Sequence, residues 1–180
     1  MKRKIDWSKY NQELVDRGKV LARYVLMPEI IVEIIDSVEP EIKHNDTISQ
    51  IERIFRKWGF YTTREYPIFK MKDGSDRAGR IDLVARKGKF RVAIEYDHKY
   101  NVKYKSFQKV VQIRPEIGVV IAGYGSLRQN MERADKYAQK INFPFYVVSL
   151  KEENFGVINE VKEWKDLKYN WQRNEERIKS

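Results

Sequence analysis

The stretch GRIDLVARKGKFRVAIEYD, residues 79–97, sets the fold. In its first half Ile81, Leu83 and Ala85 point one way and Asp82 and Val84 the other, the period-two pattern of a half-buried strand. FRVAIEYD, from Phe90, alternates in the same way, and Lys87-Gly88-Lys89 between them reads as a tight turn, so the two segments should pair as a hairpin. Three carboxylates lie within it. Asp82 stands in a strand otherwise apolar and basic, while Glu95 and Asp97 share one face of the next. A turn at Gly88 is not expected to set Asp82 directly opposite Glu95, so a wider turn, a bulge or a splayed strand end is expected.

Moving outward toward the C-terminus, Tyr104–Ile113 fits a helix with Phe107, Val110 and Val111 inward. GVVIAG, residues 118–123, is a short and almost wholly apolar strand, as expected where both faces are covered. Leu127–Ile141 reads as a helix, Phe143–Leu150 as a strand and Phe155–Ile158 as a short edge strand. On the N-terminal side a helix over Thr47–Trp58, capped by Asp46 or Thr47 and stopped by Gly59, is followed by an extended segment over Phe60–Phe69. The first 43 residues read as two helices, one from Ser8 to about Leu26 and one from Pro28 to about Val38. Ile30, Ile31, Ile34 and Ile35 on the second form a broad stripe suited to covering a sheet or to joining two copies as a homodimer. The expected division is a helical extension over 1–43, a core over 44–158, and a C-terminal helix or charged tail over 159–180. The fold class is α/β, a mixed β-sheet flanked by helices with an N-terminal helical extension.

The composition narrows the chemistry. The 180 residues contain no cysteine and two histidines, which removes disulfides and thiol catalysis and argues against a structural zinc site. No apolar run approaches the length needed to cross a bilayer, no long basic amphipathic helix suits a membrane surface, and the opening MKRKIDWSKY lacks a signal-peptide pattern. The expected setting is therefore cytoplasmic or nucleoid-associated, without a membrane. Net charge is +10, and residues 53–91 alone hold twelve basic and four acidic side chains. A positive field concentrated in mid-chain favours a polyanion as partner. In so basic a protein, three acids gathered at a strand end call for compensation, which a hard divalent cation such as Mg²⁺ or Mn²⁺ supplies through oxygen ligands.

The hairpin resembles the metal-binding hairpin of the PD-(D/E)xK superfamily, the restriction-endonuclease-like nucleases that include Holliday-junction resolvases and many DNA repair enzymes. The order of elements from about Thr47 to Leu150 is similar to that family's core of helix, three strands, helix and strand. The resemblance implies Mg²⁺ (or Mn²⁺) held by Asp82 and Glu95, joined by Glu52 from the first core helix; Asp97, on the Glu95 face of the strand, is expected beside them as ligand or water orienter. It implies a metal-dependent nuclease hydrolysing phosphodiester bonds, with DNA favoured over RNA and endonucleolytic cleavage over exonucleolytic.

The chain departs from the family pattern at one place. The family has a lysine two residues after the second acid, where this sequence has Asp97. The resemblance allows the cation to come from the following helix, and Lys105, Lys109 and Lys99, in that order, are the candidates; Lys105 and Lys109 share a helix face. Arg77 and Arg80, with Lys103, Lys105 and Lys109, are expected to contact the nucleic-acid backbone. His98 is weighed as a general base or a phosphate donor, and Tyr124 within Gly123-Tyr124-Gly125 as a base-stacking side chain. The alternatives are a catalytically inactive nucleic-acid-binding module on the same fold, its motif lysine gone, and an interaction protein working through the isoleucine stripe.

Overall fold

A computed structural model describes residues 16, 18–39, 43–68, 79–98, 101–138, 141–163 and 166. Its elements in chain order are α1 (Met27–Ser37), α2 (His44–Lys57), β1 (Tyr61–Pro67), β2 (Arg80–Lys87), β3 (Phe90–Asp97), α3 (Tyr104–Gln112), β4 (Ile117–Ala122), α4 (Leu127–Ala138), β5 (Phe145–Ser149) and β6 (Asn154–Ile158). Among the described residues the strands form one six-stranded open sheet in the order β1-β2-β3-β4-β5-β6. β1, β2 and β3 are successively antiparallel, β3, β4 and β5 are parallel, and β6 returns antiparallel. The α/β class and the mixed sheet expected from sequence are found. Among the described residues no helix is long and apolar enough to cross a membrane.

The chain divides into two compact units. One is Glu29–Glu160, which holds the sheet; the other combines Met1–Pro28 with Val161–Ser180. In the latter, residues 18–25 are helical, and the Lys162 and Glu163 amides donate to the Asp166 carboxylate at 3.0 and 2.9 Å. α1, grouped by sequence with the extension over 1–43, lies almost wholly in the larger unit. There its Glu33 accepts hydrogen bonds from the Lys57 ammonium and the Trp58 indole, both at 2.7 Å. Ile30, Ile31 and Ile34 are buried within the chain. The stripe that suggested a homodimer is therefore already covered at those three positions.

Patterning explains where the core sits. Val84, Ala93, Val120, Ala122, Phe145 and Val147 project from one face of the sheet into a cluster with Phe107 and Val110 of α3 and Ala134 of α4. The alternate set, Leu83, Ala85, Ile94, Val119 and Ile121, is equally buried, so both faces are covered. α2 packs on β1 and β2. It begins at His44, a turn before the expected start, and Lys43 at its N-cap supplies no side-chain bond. Its end follows the sequence: the Gly59 amide donates to the Arg56 carbonyl and the Phe60 amide to the Phe55 carbonyl, closing the last turn and turning the chain into β1.

The hairpin differs from expectation in one respect and agrees in another. Lys87 pairs with Phe90 across a two-residue turn, and the register continues to Leu83 opposite Ile94. One more step brings Asp82 level with Glu95, so no wider turn is needed. Main-chain pairing nevertheless stops there, although β2 starts at Arg80 and β3 runs to Asp97, so the strand ends do splay. The β1–β2 ladder also skips Asp82, passing from Arg64–Leu83 to Tyr66–Ile81, and the skipped Glu65 has φ 48°. Such a left-handed residue persists only where its surroundings impose it. Ile81 and Val84, three residues apart, consequently enter the same apolar cluster, against the alternation expected from sequence.

Candidate active site

β3 and β4 are parallel, with Asp97 paired to Ala122, so the loops leaving both strands emerge at one end of the sheet. A cleft of about 380 Å³ opens there, lined by His44, Asp82, Glu95, Tyr96, Asp97, His98, Lys103, Lys105, Ser106 and Lys109. Ligand clefts in open α/β sheets favour this position, beyond the carboxyl ends of parallel strands.

Asp82 and Glu95 fill the gap left by the splayed strands. The Asp82 amide donates to Glu95 Oε1 at 3.1 Å, and the Tyr96 amide donates to Asp82 Oδ2 at 2.8 Å. Each side chain thus takes the place of a missing ladder bond, which fixes both carboxylates on adjacent strands. Glu95 is 3% exposed, and burial together with the Asp82 charge pushes its carboxyl up to about 7. Opposing this, the Lys109 ammonium on α3 donates to Glu95 Oε2 at 2.8 Å. Of the two candidate lysines among the described residues, Lys105 and Lys109, the structure joins Lys109 to the acids. Lys105, ranked first from sequence, lines the cleft with an exposed side chain.

Asp97 occupies the family's lysine position and faces α3. Its Oδ2 accepts the Lys103 amide at 2.9 Å and its Oδ1 the Ser106 hydroxyl at 2.8 Å, so it anchors the start of the helix that carries Lys109. Burial raises its carboxyl above the ordinary range, opposed by these two bonds. Asp97 thus anchors the start of α3, a role not expected from sequence, while lining the same cleft as Asp82 and Glu95.

Both histidines of the chain line this cleft. His44 Nε2 lies 3.3 Å from Asp82 Oδ2, and that interaction, against burial, raises the imidazole above its ordinary value. Its ring stands 5.4 Å from that of Tyr96, whose hydroxyl lies 3.1 Å from His98 Nδ1. Sequence reasoning passed over His44 altogether. A single histidine at a helix start carries no periodic signal, and only its rarity marked it out.

No family model, curated protein or solved structure matches the chain. The site's chemistry therefore rests on its own geometry.

Glu52 does not join the acids. It is absent from the cleft lining, and its oxygens accept bonds from Arg56 (2.8 Å), Thr62 (2.8 Å) and Arg64 Nε (2.6 Å). Helical rotation turns it toward β1, so the expected third metal ligand is a structural ion-paired acid. Burial would raise its carboxyl, but the Thr62 and Arg64 bonds and the two guanidinium charges hold it below the ordinary range. Arg80 is exposed, 3.8 Å from Glu65, and does not line the cleft. Lys103 does line it. Arg77 and Lys99 lie outside the described residues. Among the described residues no group of three or more His, Asp or Glu side chains is arranged to hold a metal ion.

Proposed function

We propose that the protein is a metal-dependent nuclease of the PD-(D/E)xK type, hydrolysing phosphodiester bonds in nucleic acid, with DNA endonuclease as the favoured activity. The observation that carries this is the convergence of Asp82, Glu95 and Lys109 at one splayed strand end. The succession α2, β1–β3, α3, β4, with β4 parallel to β3, agrees with the family core. Lys109 supplies from the helix the cation that the family carries on the strand.

The acids fit Mg²⁺ or Mn²⁺. The buried Glu95 and the partly buried Asp82 stand on adjacent strands, Glu95 raised by its burial and by the Asp82 charge, and Mg²⁺ is commonly held by one or two carboxylates together with substrate phosphates. Asp82 and Glu95 would hold the ion, which supplies an activated water and charge neutralisation on the phosphate. His44 orients the Asp82 carboxylate. Lys109 balances the charge of Glu95 and stands where negative charge would develop on the substrate. Lys103 and Lys105 line the approach as backbone contacts.

The second reading, a nucleic-acid-binding module without catalysis, is favoured by Asp97 standing where the family pattern has its lysine. Cleavage assays on duplex, single-stranded and branched DNA and on RNA, with Mg²⁺ or Mn²⁺ at low salt, distinguish the two. D82N and E95Q should abolish cleavage and retain most of the binding, because they remove metal ligands and leave the phosphate-contacting cations in place. Cleavage that survives D82N would sink the nuclease assignment. Tight binding without cleavage of any substrate would favour the module.

A further inference from the structure

The turn Gly123-Tyr124-Gly125 leaves β4 beside the cleft and takes no part in the chemistry above. The Gly123 amide donates to the Asp97 carbonyl at 3.1 Å, and a Cβ on Gly123 would collide with the His98 carbonyl and lie 3.2 Å from the Tyr96 hydroxyl. Gly125 has φ 88°, and a Cβ there would run into the Asn101 side chain, while its carbonyl accepts the Ser149 hydroxyl at 3.1 Å. Both glycines are thus required by close approach to the chain after β3. Between them Tyr124 is 40% exposed. The turn is pressed tightly against Tyr96, Asp97 and His98, which line the cleft together with Lys103 and Lys105; Tyr124 is not itself a lining residue but stands exposed on the turn next to them.

An aromatic face beside lysines is the arrangement that binds an unpaired nucleotide, the ring taking the base and the cations the backbone. In a duplex each base already stacks on its neighbours and offers no free face. We infer that Tyr124 stacks on an unpaired nucleobase flanking the phosphate held in the cleft, so that the preferred substrate has single-stranded nucleotides at the scissile position. This rests on the proposed nuclease reading for the word substrate, but the binding step stands without it.

The test is binding of oligonucleotides containing 2-aminopurine, without divalent metal, by the wild-type chain and by Y124A, Y124W and Y61A. Tyr61 serves as a control, being 87% exposed and paired with Arg86 near the far end of the β2–β3 hairpin. Wild type should prefer single strand over duplex of equal charge and quench 2-aminopurine fluorescence. Y124A should weaken single-strand binding roughly tenfold and lose the quench, with duplex binding little changed. Y124W and Y61A should behave like wild type. DNA and RNA arms distinguish which strand supplies the unpaired base. An unchanged quench in Y124A, an equal loss on duplex, or no binding by wild type would each overturn the inference. Because no cleavage is scored, a chain that binds and quenches yet never cuts would retire the nuclease assignment and leave the stacking role standing.

Discussion

Lys109 reaches from α3 to β3 and places its ammonium 2.8 Å from Oε2 of Glu95, an acid only 3% exposed. The lysine side chain is itself 20% exposed, so the pair is only partly screened. Removing one member of a buried pair leaves the other uncompensated, which is worse than removing both. K109M should lower stability by about 3 kcal/mol, and K109M/E95Q should recover most of that loss. Urea unfolding of the two single variants and the double checks it; additive losses would mean that the pair is not coupled.

Metal binding should depend on Asp82. Calorimetric titration of Mg²⁺ or Mn²⁺ into wild type should show a site that D82A lacks, in the presence of an uncleavable phosphodiester analogue to complete the coordination. Equal heats from both proteins would place the ion elsewhere.

Glu52 gives a pH dependence of known sign. Its folded carboxyl lies below the ordinary glutamate range, so its contribution is complete above about pH 4.5 and fades as pH falls through the folded value. The stability difference between wild type and E52Q, measured by urea unfolding at pH 6, 4 and 3, should shrink on acidification. A difference that stays constant across that range would contradict the ion-paired assignment.

Asp97 should matter for the start of α3. D97A removes the acceptor for the Lys103 amide and the Ser106 hydroxyl, and should cost about 2 kcal/mol, lowering Tm by roughly 5 °C. S106A should cost less, since the backbone bond survives. Circular dichroism melts that rank the two in the opposite order would refute the anchor role.

Much of this was legible in the sequence, for physical reasons that differ by residue. Alternation in 80–97 and the turn at Gly88 specified the hairpin, and the unbroken apolar run of β4 specified a doubly covered strand. Periodicity assigns a residue to a face but does not say which neighbour that face meets. Glu52, matched to the family's helix acid by its place alone, in fact meets Arg56 and Arg64, and Lys105, four residues from Lys109 on the same helix face, was ranked ahead of the lysine that pairs with Glu95. Asp97 shares the face of Glu95 by its spacing, yet its oxygens turn to a helix whose first residues carry no sign of needing an anchor. The break in alternation at Asp82 depends on a left-handed Glu65 in the neighbouring strand, a long-range constraint that no local pattern encodes.

The two-residue hairpin has a kinetic consequence. Asp82 and Glu95, thirteen residues apart, are brought together by a contact that a local turn closes early. Lys109 can reach Glu95 only when α3 has docked in the crossover that sets β4 parallel to β3. Two like charges therefore meet before their counterion arrives. E95Q should accelerate refolding by relieving that repulsion, while K109M should leave the refolding limb of the chevron unchanged and steepen only the loss of the native state, raising the unfolding rate. A pair that forms last in folding would thus be the one that slows the opening of the finished molecule.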